Sequence, residues 1–387
     1  MANRYRADHV GSFLRPPELT DAFRAFRQHR MTSEQLRDAT DQAILKILQV
    51  QKDAGLDIFS DGEYRRGSWL SGPLDAFEGF VDAGAANRGA PQNQTRWRGA
   101  PTEAVPMQDA VDSDPDAKRR QRVIGGRLKA KRRLNGAEAS FLAARAPGPY
   151  KITNPGPTWF LRYWAPGVSD KVYASRDEAL ADLVAIMKHE ISTLVSDRVP
   201  YIQIDSIRYV FDYTDEKRRA EWRQWGVDPD VAIEQDVAAD NALIEGLRRD
   251  GVTFGLHMCR GNFFSRWYAE GGYDRIAERV FPRLDYDRFL LEYDTERAGD
   301  FAPLRFVPKD RMVVLGLIST KNPKLEDPDA IRRRVEEASK FVPLDNLALS
   351  GQCGFASVAI GNELSWDDQR RKLDLIVGTA HKIWGRA

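Results

Sequence analysis

Two cysteines in 387 residues are the first scarcity. So thin a supply excludes a disulfide-stapled scaffold. In a reducing compartment it leaves Cys259 and Cys353 as small buried thiols or as metal ligands. Net charge is scarce as well: 58 Lys and Arg stand against 57 Asp and Glu, a formal charge of +1. That balance offers no global attraction to nucleic acid or to an anionic membrane. No apolar run approaches the ~20 residues needed to span a bilayer. Met1-Ala2-Asn3-Arg4-Tyr5-Arg6 lacks the apolar core of a signal peptide. A glycine-rich phosphate turn is missing too, since Val10-Gly11-Ser12 is no G-x-G-x-x-G. The expectation is a cytoplasmic protein with neither nucleic acid nor membrane as partner. What the chain does have is core material, with 42% hydrophobic and 30% charged residues, an ordinary globular balance.

Short apolar runs alternate with amphipathic stretches. The runs are Ala7–Phe13, Leu56–Phe59, Tyr150–Thr153, Pro200–Asp205, Thr253–Met258, Arg288–Glu292, Met312–Ile318 and Asn346–Ser350. Helical spacing follows Ser33 (Leu36, Ala39, Ala43, Ile44, Ile47, Leu48) and stops at Gly55. Further helices are predicted over ~176–196, ~228–249, ~263–279, ~327–340 and ~366–384 by the same spacing. Eight strand–helix alternations predict an α/β fold, a (β/α)8 TIM barrel filling residues 1–387. Pro16-Pro17 adds an N-terminal helical segment. Residues 82–140, rich in Ala, Gly, Pro, Asn and Arg, read as an insertion after the second strand, with Val123–Leu128 part of a β-hairpin. Its basic runs, Lys118–Arg122 and Lys129–Arg133, read as a solvated face or as a seat for an anionic ligand tail or a partner.

In such a barrel, residues just past the strand ends share one cavity. Those residues are Ser12, Glu63, Asn154, Asp205, His257 with Cys259, Glu292, Ser319 with Thr320, and Cys353. His257 and Cys259 are two apart in an extended segment and so point the same way. A nitrogen, two sulfurs and a carboxylate at three strand ends form a plausible zinc shell: His257, Cys259, Glu292 and Cys353. Two thiolates make zinc a poor activator of water but leave it suited to binding a substrate thiol. Asp205 reads as a holder of a substrate amino group or as an ordinary carboxylate. Ser12 reads as a carboxylate binder or a turn serine, and His9 as a pocket hydrogen-bonder or a core histidine. Glu63 joins the substrate-binding candidates as a strand-end carboxylate. Arg65, Arg66, Trp69, Asn154 and Trp159 make a candidate seat for a flat, anionic donor, the alternative being tryptophans that pack the rim. No catalytic group beyond the metal site is predicted.

His9-Val10-Gly11-Ser12, Asp61-Gly62-Glu63, Ile202-Gln203-Ile204-Asp205, His257-Met258-Cys259, Leu291-Glu292 and Gln352-Cys353-Gly354 occur in order along the chain. Together they resemble the catalytic C-terminal barrel of the cobalamin-independent methionine synthase family, most of all its short one-barrel 5-methyltetrahydropteroyltriglutamate–homocysteine methyltransferase-like relatives. The resemblance implies zinc on His257, Cys259, Glu292 and Cys353, and homocysteine on Ser12 and Asp205. It implies S-methyl transfer to methionine. Epoxyalkane–coenzyme M transferase is also similar, so an alkyl transferase for another small thiol is an alternative, as is a non-catalytic zinc-binding barrel. Three departures stand out. The long enzyme's N-terminal barrel is absent, Ile318-Ser319-Thr320-Lys321 stands where that enzyme has a histidine, and Ser206 replaces an acidic residue. The implied methyl donor is therefore 5-methyltetrahydrofolate or another carrier such as a methyl-corrinoid protein.

Overall fold

The computed structural model describes residues 5–84, 98, 122–247 and 250–385. In chain order the strands are β1 (Phe77–Asp82) and β2 (Arg122–Ala130), an antiparallel hairpin, then β3 (Lys151–Pro155), β4 (Tyr201–Asp205), β5 (Thr253–Met258), β6 (Arg288–Glu292), β7 (Met312–Ile318) and β8 (Leu347–Gly351). Strands β3 to β8 pair in parallel in sequence order. Every residue of these six strands is buried. That is why their sequences read as continuous apolar runs rather than alternations: a parallel sheet is covered on both faces.

Two further segments close the sheet without forming regular strands. Ala7 bridges Leu349 of β8, with Asp8 N–H donating to Leu349 O at 2.9 Å and Leu349 N–H donating to Arg6 O at 2.9 Å. On the other side Phe59 bridges Tyr150, and Lys151 N–H of β3 donates to Phe59 O at 2.8 Å. The two segments meet through Asp57 N–H on Ala7 O at 3.3 Å and the Ser12–Gly62 bridge. The ring of eight is complete, and the (β/α)8 expectation holds.

Inside the ring, Asp8 accepts from Lys151 at 2.7 Å and from Arg288 at 3.1 Å, all with side chains 0% exposed. Lys151 also reaches Gln203 Oε1 at 2.9 Å, and Gln203 Nε2 donates to Val10 O at 2.7 Å. A buried charge pair is costly to break once formed, so this layer pins the N-terminal seam segment to β3, β4 and β6.

The helices are α1 (Pro17–Arg27), α2 (Ser33–Ala54), α3 (Ser71–Ala76), α4 (Gly136–Arg145), α5 (Arg176–Ser196), α6 (Arg208–Phe211), α7 (Glu216–Gln224), α8 (Pro229–Ile244), α9 (Asp274–Val280), α10 (Pro328–Ala338) and α11 (Trp366–Trp384). Helix α2 begins where Thr32 and Gln35 satisfy each other's backbone N–H groups and ends at Gly55, φ 83°. Its Ala43, Ile44, Ile47 and Leu48 face the core. Among the described residues no helix is long and apolar enough to cross a membrane.

One helix differs from expectation. Residues 263–273 are not helical; α9 starts only at Asp274. Phe264 and Ser265 hold φ of 48° and 63°, and Phe263 and Arg266 close a tight bridge, so helical geometry is broken there. Trp267 instead pairs backbone to backbone with Arg98, whose side chain binds Asp215 and Glu270, each at 3.0 Å. The predicted hairpin strand at Val123–Leu128 lies within β2. Of the basic runs, Lys118 to Gln121 lie outside the described residues, while Lys129, Lys131, Arg132 and Arg133 are exposed.

Candidate metal centre

Parallel pairing places His257 of β5 opposite Asp205 of β4 and Leu290 of β6. Cys259 follows one residue past β5, on the same side as His257. Cys353 lies two residues past β8. The two Sγ atoms are 3.3 Å apart, and the ligand atoms of His257, Cys259 and Cys353 all lie within 4.8 Å of one another. All three side chains are buried. His257 Nδ1–H donates to Leu290 O at 3.3 Å, which fixes the ring and leaves the buried Nε2 without a hydrogen-bond partner. An oriented imidazole with an orphaned nitrogen beside two soft sulfurs is a donor set that fits zinc.

Electrostatics point the same way. A hydrogen bond from the Cys259 thiol, with help from His257, holds Cys353 well below the usual thiol range, although burial opposes this. The same hydrogen bond, and then burial, push Cys259 well up. Burial works against charge on His257, yet proximity to Cys353, Asp205 and Glu292 raises its pKa.

Glu292 ends β6 but does not join the cluster. Its carboxylate accepts Arg260 N–H at 2.9 Å and is ion-paired with Arg297, which also holds Asp294 at 2.7 Å. Three of the four expected ligands therefore meet, and the fourth is held beside them by a guanidinium. Burial favours its protonation, but Arg297, Lys321 and Arg260 keep it below the ordinary carboxylate range.

Of the expected substrate residues, Ser12 lies against Gly354, the neighbour of Cys353: a Cβ on that glycine would come within 1.9 Å of Ser12 Oγ. Asp205 accepts from Gln203 Nε2 at 2.8 Å and has no ion pair among the described residues. Burial, with Glu63 and Cys353 adding to it, pushes Asp205 up to about 7 against His257 and the Gln203 hydrogen bond. Glu63 stands at φ 60°, a conformation unusual outside glycine and frequent at functional sites, and accepts from Thr153 Oγ1 at 2.7 Å.

The residues matched by the sequence profile of the family described as "Cobalamin-independent synthase, Catalytic domain" are 6–99 and 156–382. The chain belongs to this family. It is 35% identical over 386 residues to the uncharacterised Bacillus subtilis protein YxjH, covering 98% of this chain and 95% of that one. It is 21% identical to a methionine synthase of Thermococcus kodakarensis over 89% of this chain and 85% of that one. A Listeria monocytogenes structure assigned to the vitamin-B12-independent methionine synthases superposes with a TM-score of 0.73 at 28% identity, covering 100% of both chains. Membership of this family makes the chain a methyltransferase-like enzyme.

On the predicted donor side, expectation and structure part. Arg65 is paired with Asp41 at 2.6 Å, and Arg66 with Glu138 at 2.7 Å and Thr153 Oγ1 at 3.1 Å. Both guanidiniums are committed to internal partners instead of opening to an anionic donor. Trp69 and Trp159 do meet, with ring centroids 5.5 Å apart, and pack on a cluster containing Cys259, Cys353, Ile207, Phe211 and Tyr268. Arg162 lies 4.0 Å over Trp159 and pairs with Asp212 at 2.6 Å. Asn154 Nδ2 is buried with no hydrogen-bond partner. Sequence reasoning missed Arg162, Asn262, Arg297 and Lys321. Two of these carried a signal: Asn262 stands three residues past Cys259, and Lys321 ends the Ile318–Lys321 stretch that departs from the family's histidine.

His9 is buried between the seam segments. Its Nε2–H donates to Ile58 O at 3.0 Å, and its ring packs 5.0 Å from Phe13. Burial first, then Lys151, push it down to about 3, with Asp8 opposing. Below pH 6.5 the unfolded chain binds a proton that the folded chain refuses. Stability from this group is therefore present above pH 6.5 and is lost as pH falls towards 3. His9→Gln is expected to flatten the urea midpoint against pH between 6 and 4, by up to about 1.4 kcal/mol per pH unit relative to the parent. Parallel slopes for parent and variant would contradict the assignment. Asp205 and Asp240, each pushed up to about 7 by burial, act in the opposite direction and cancel in the comparison.

Proposed function

We propose that this protein is a zinc-dependent cytoplasmic S-methyltransferase that converts homocysteine and a methyl donor to methionine. The observation that carries the reading is the convergence of His257, Cys259 and Cys353 within 4.8 Å at the strand ends. Zinc, when bound, supplies a charge that lowers the substrate thiol pKa while leaving its sulfur nucleophilic. Cys259 and Cys353 are the soft donors, and His257 offers Nε2 because Leu290 O engages Nδ1. Glu292 is the fourth ligand in this reading, once released by Arg297. Asp205 and Glu63 receive the α-ammonium group: a carboxylate pushed up to about 7 by burial, with Glu63 and Cys353 adding to it, gains most from an arriving cation. Ser12 receives the α-carboxylate. Trp69, Trp159 and Phe211 form the wall for the donor, a shape that favours a flat methyl-folate over a methyl-corrinoid protein. In the transfer, a sulfur–carbon bond forms as the donor–methyl bond breaks, and the pocket supplies orientation.

Zinc-edge X-ray absorption tests the reading: homocysteine is expected to add one sulfur neighbour and remove one light-atom neighbour. No change in coordination would sink it. Product analysis with methyltetrahydrofolate and with methylcobalamin picks the donor. Asp205→Asn is expected to raise the KM for homocysteine about 10- to 100-fold, the worth of a hydrogen bond to a charged group, with the donor KM little changed. A coenzyme M transferase-like reaction on another small thiol uses the same metal site, and a thiol panel separates the two.

A further inference from the structure

We infer that Lys321 is the buried counter-cation of the sulfur cluster and the clamp between the two loops that carry it, a positioning residue for the thiol half of the reaction proposed above. Lys321 lies three residues past β7 and is buried. Its Nζ donates to Gly261 O at 3.2 Å and to Asn262 Oδ1 at 3.1 Å. Gly261 N–H in turn points at Cys259 Sγ, 3.2 Å away. Asn262 Nδ2 crosses to the other loop, donating to Gly354 O at 2.8 Å and Ser357 Oγ at 3.1 Å. One ammonium thus fixes the segment after Cys259 and, through Asn262, the segment after Cys353.

The charge argument is separate. Lys151 and Lys372 are also buried, and each pairs with a carboxylate: Asp8 at 2.7 Å and Glu326 at 3.2 Å. Lys321 has no ion pair among the described residues. A buried cation without a counter-charge is costly, so its presence points to anions that complete it. Lys321 Nζ is bonded to Gly261 O, on the residue whose own N–H points at Cys259 Sγ, so one glycine's backbone links the ammonium to that sulfur. Arg297 is ion-paired with both Glu292 and Asp294, whereas neither sulfur has a lysine or arginine among its hydrogen-bond partners in the described residues. Two thiolates equal the charge of a divalent ion, and an incoming substrate thiolate exceeds it. Lys321 offsets the excess.

The test uses the full chain with zinc alone, then with homocysteine. Zinc affinity is measured by chelator competition, and KM values for thiol and donor are measured separately. Lys321→Gln keeps a hydrogen bond to Gly261 O but removes the charge, Lys321→Arg keeps the charge, and Lys321→Met removes both. The expected result for Lys321→Gln is zinc affinity weakened about tenfold and homocysteine KM raised about tenfold, with donor KM moved far less; Lys321→Arg restores most of both. Lys321→Met is expected to lose more than Lys321→Gln. If it does not fold, the Gln and Arg pair decides. Parental zinc affinity and thiol KM in Lys321→Gln overturn the inference, as does a purely thermal effect on the metal-free protein. If the parent itself binds no zinc, the functional proposal fails first, and that outcome is distinct.

Discussion

Cys353→Ala is expected to yield a folded protein that keeps no zinc through purification and transfers no measurable methyl group. Loss of one of two thiolates from a three-atom cluster removes its charge as well as a bond, and a zinc affinity lower by at least ~10³-fold follows. The thiol itself is small, so folding changes little: about 1 kcal/mol for a buried side chain of this size. Metal analysis of the purified variant and its urea midpoint check both halves. Stoichiometric zinc in the variant would remove the cluster from consideration as a metal site. Glu292→Gln makes a graded contrast. Because Glu292 is held by Arg297 and lies outside the cluster, its replacement is expected to weaken zinc by only ~10- to 100-fold.

The second large effect comes from a residue with no side chain. Gly316 sits in β7 with Glu292 of β6 and Ser350 of β8 as its register partners. A Cβ there would lie 2.7 Å from Gln352 Cα, 2.9 Å from Leu291 O and 3.2 Å from Gly351 O. All three are backbone atoms in the strands or strand ends that deliver Glu292 and Cys353. They yield only if β6 and β8 part. Gly316→Ala is expected to cost about 3 kcal/mol, the upper range for overpacking, and to weaken zinc binding by separating Cys353 from Cys259. Denaturant unfolding with and without zinc reads both effects. A variant as stable as the parent would mean that the strands repack freely.

Much of this architecture was legible in the residues. The six fully buried strands were readable because a parallel sheet demands unbroken apolar runs, and α5 and α11 because their apolar spacing is helical from end to end. The meeting of His257, Cys259 and Cys353 was readable because only two cysteines exist and both fall at strand ends. What escaped notice was decided by side-chain direction and by contacts between distant segments. No spacing indicates that Arg297 takes Glu292, that Arg65 and Arg66 turn to Asp41 and Glu138, or that Lys321 reaches across to Gly261. The stretch 263–273 misled because its aromatic residues mimic a helical stripe, whereas pairing with Arg98 and two positive-φ residues hold it irregular.

The barrel's join has a practical bearing. Ser12 and Glu63 both follow the two segments tied by isolated bridges rather than by continuous ladders. Deleting residues up to Arg6, or fusing a bulky affinity handle there, would strain the edge that carries Ser12 and Glu63 before it disturbs the six regular strands. Assays on such variants are expected to show a raised KM for the thiol of the proposed reaction in a protein whose circular dichroism is intact.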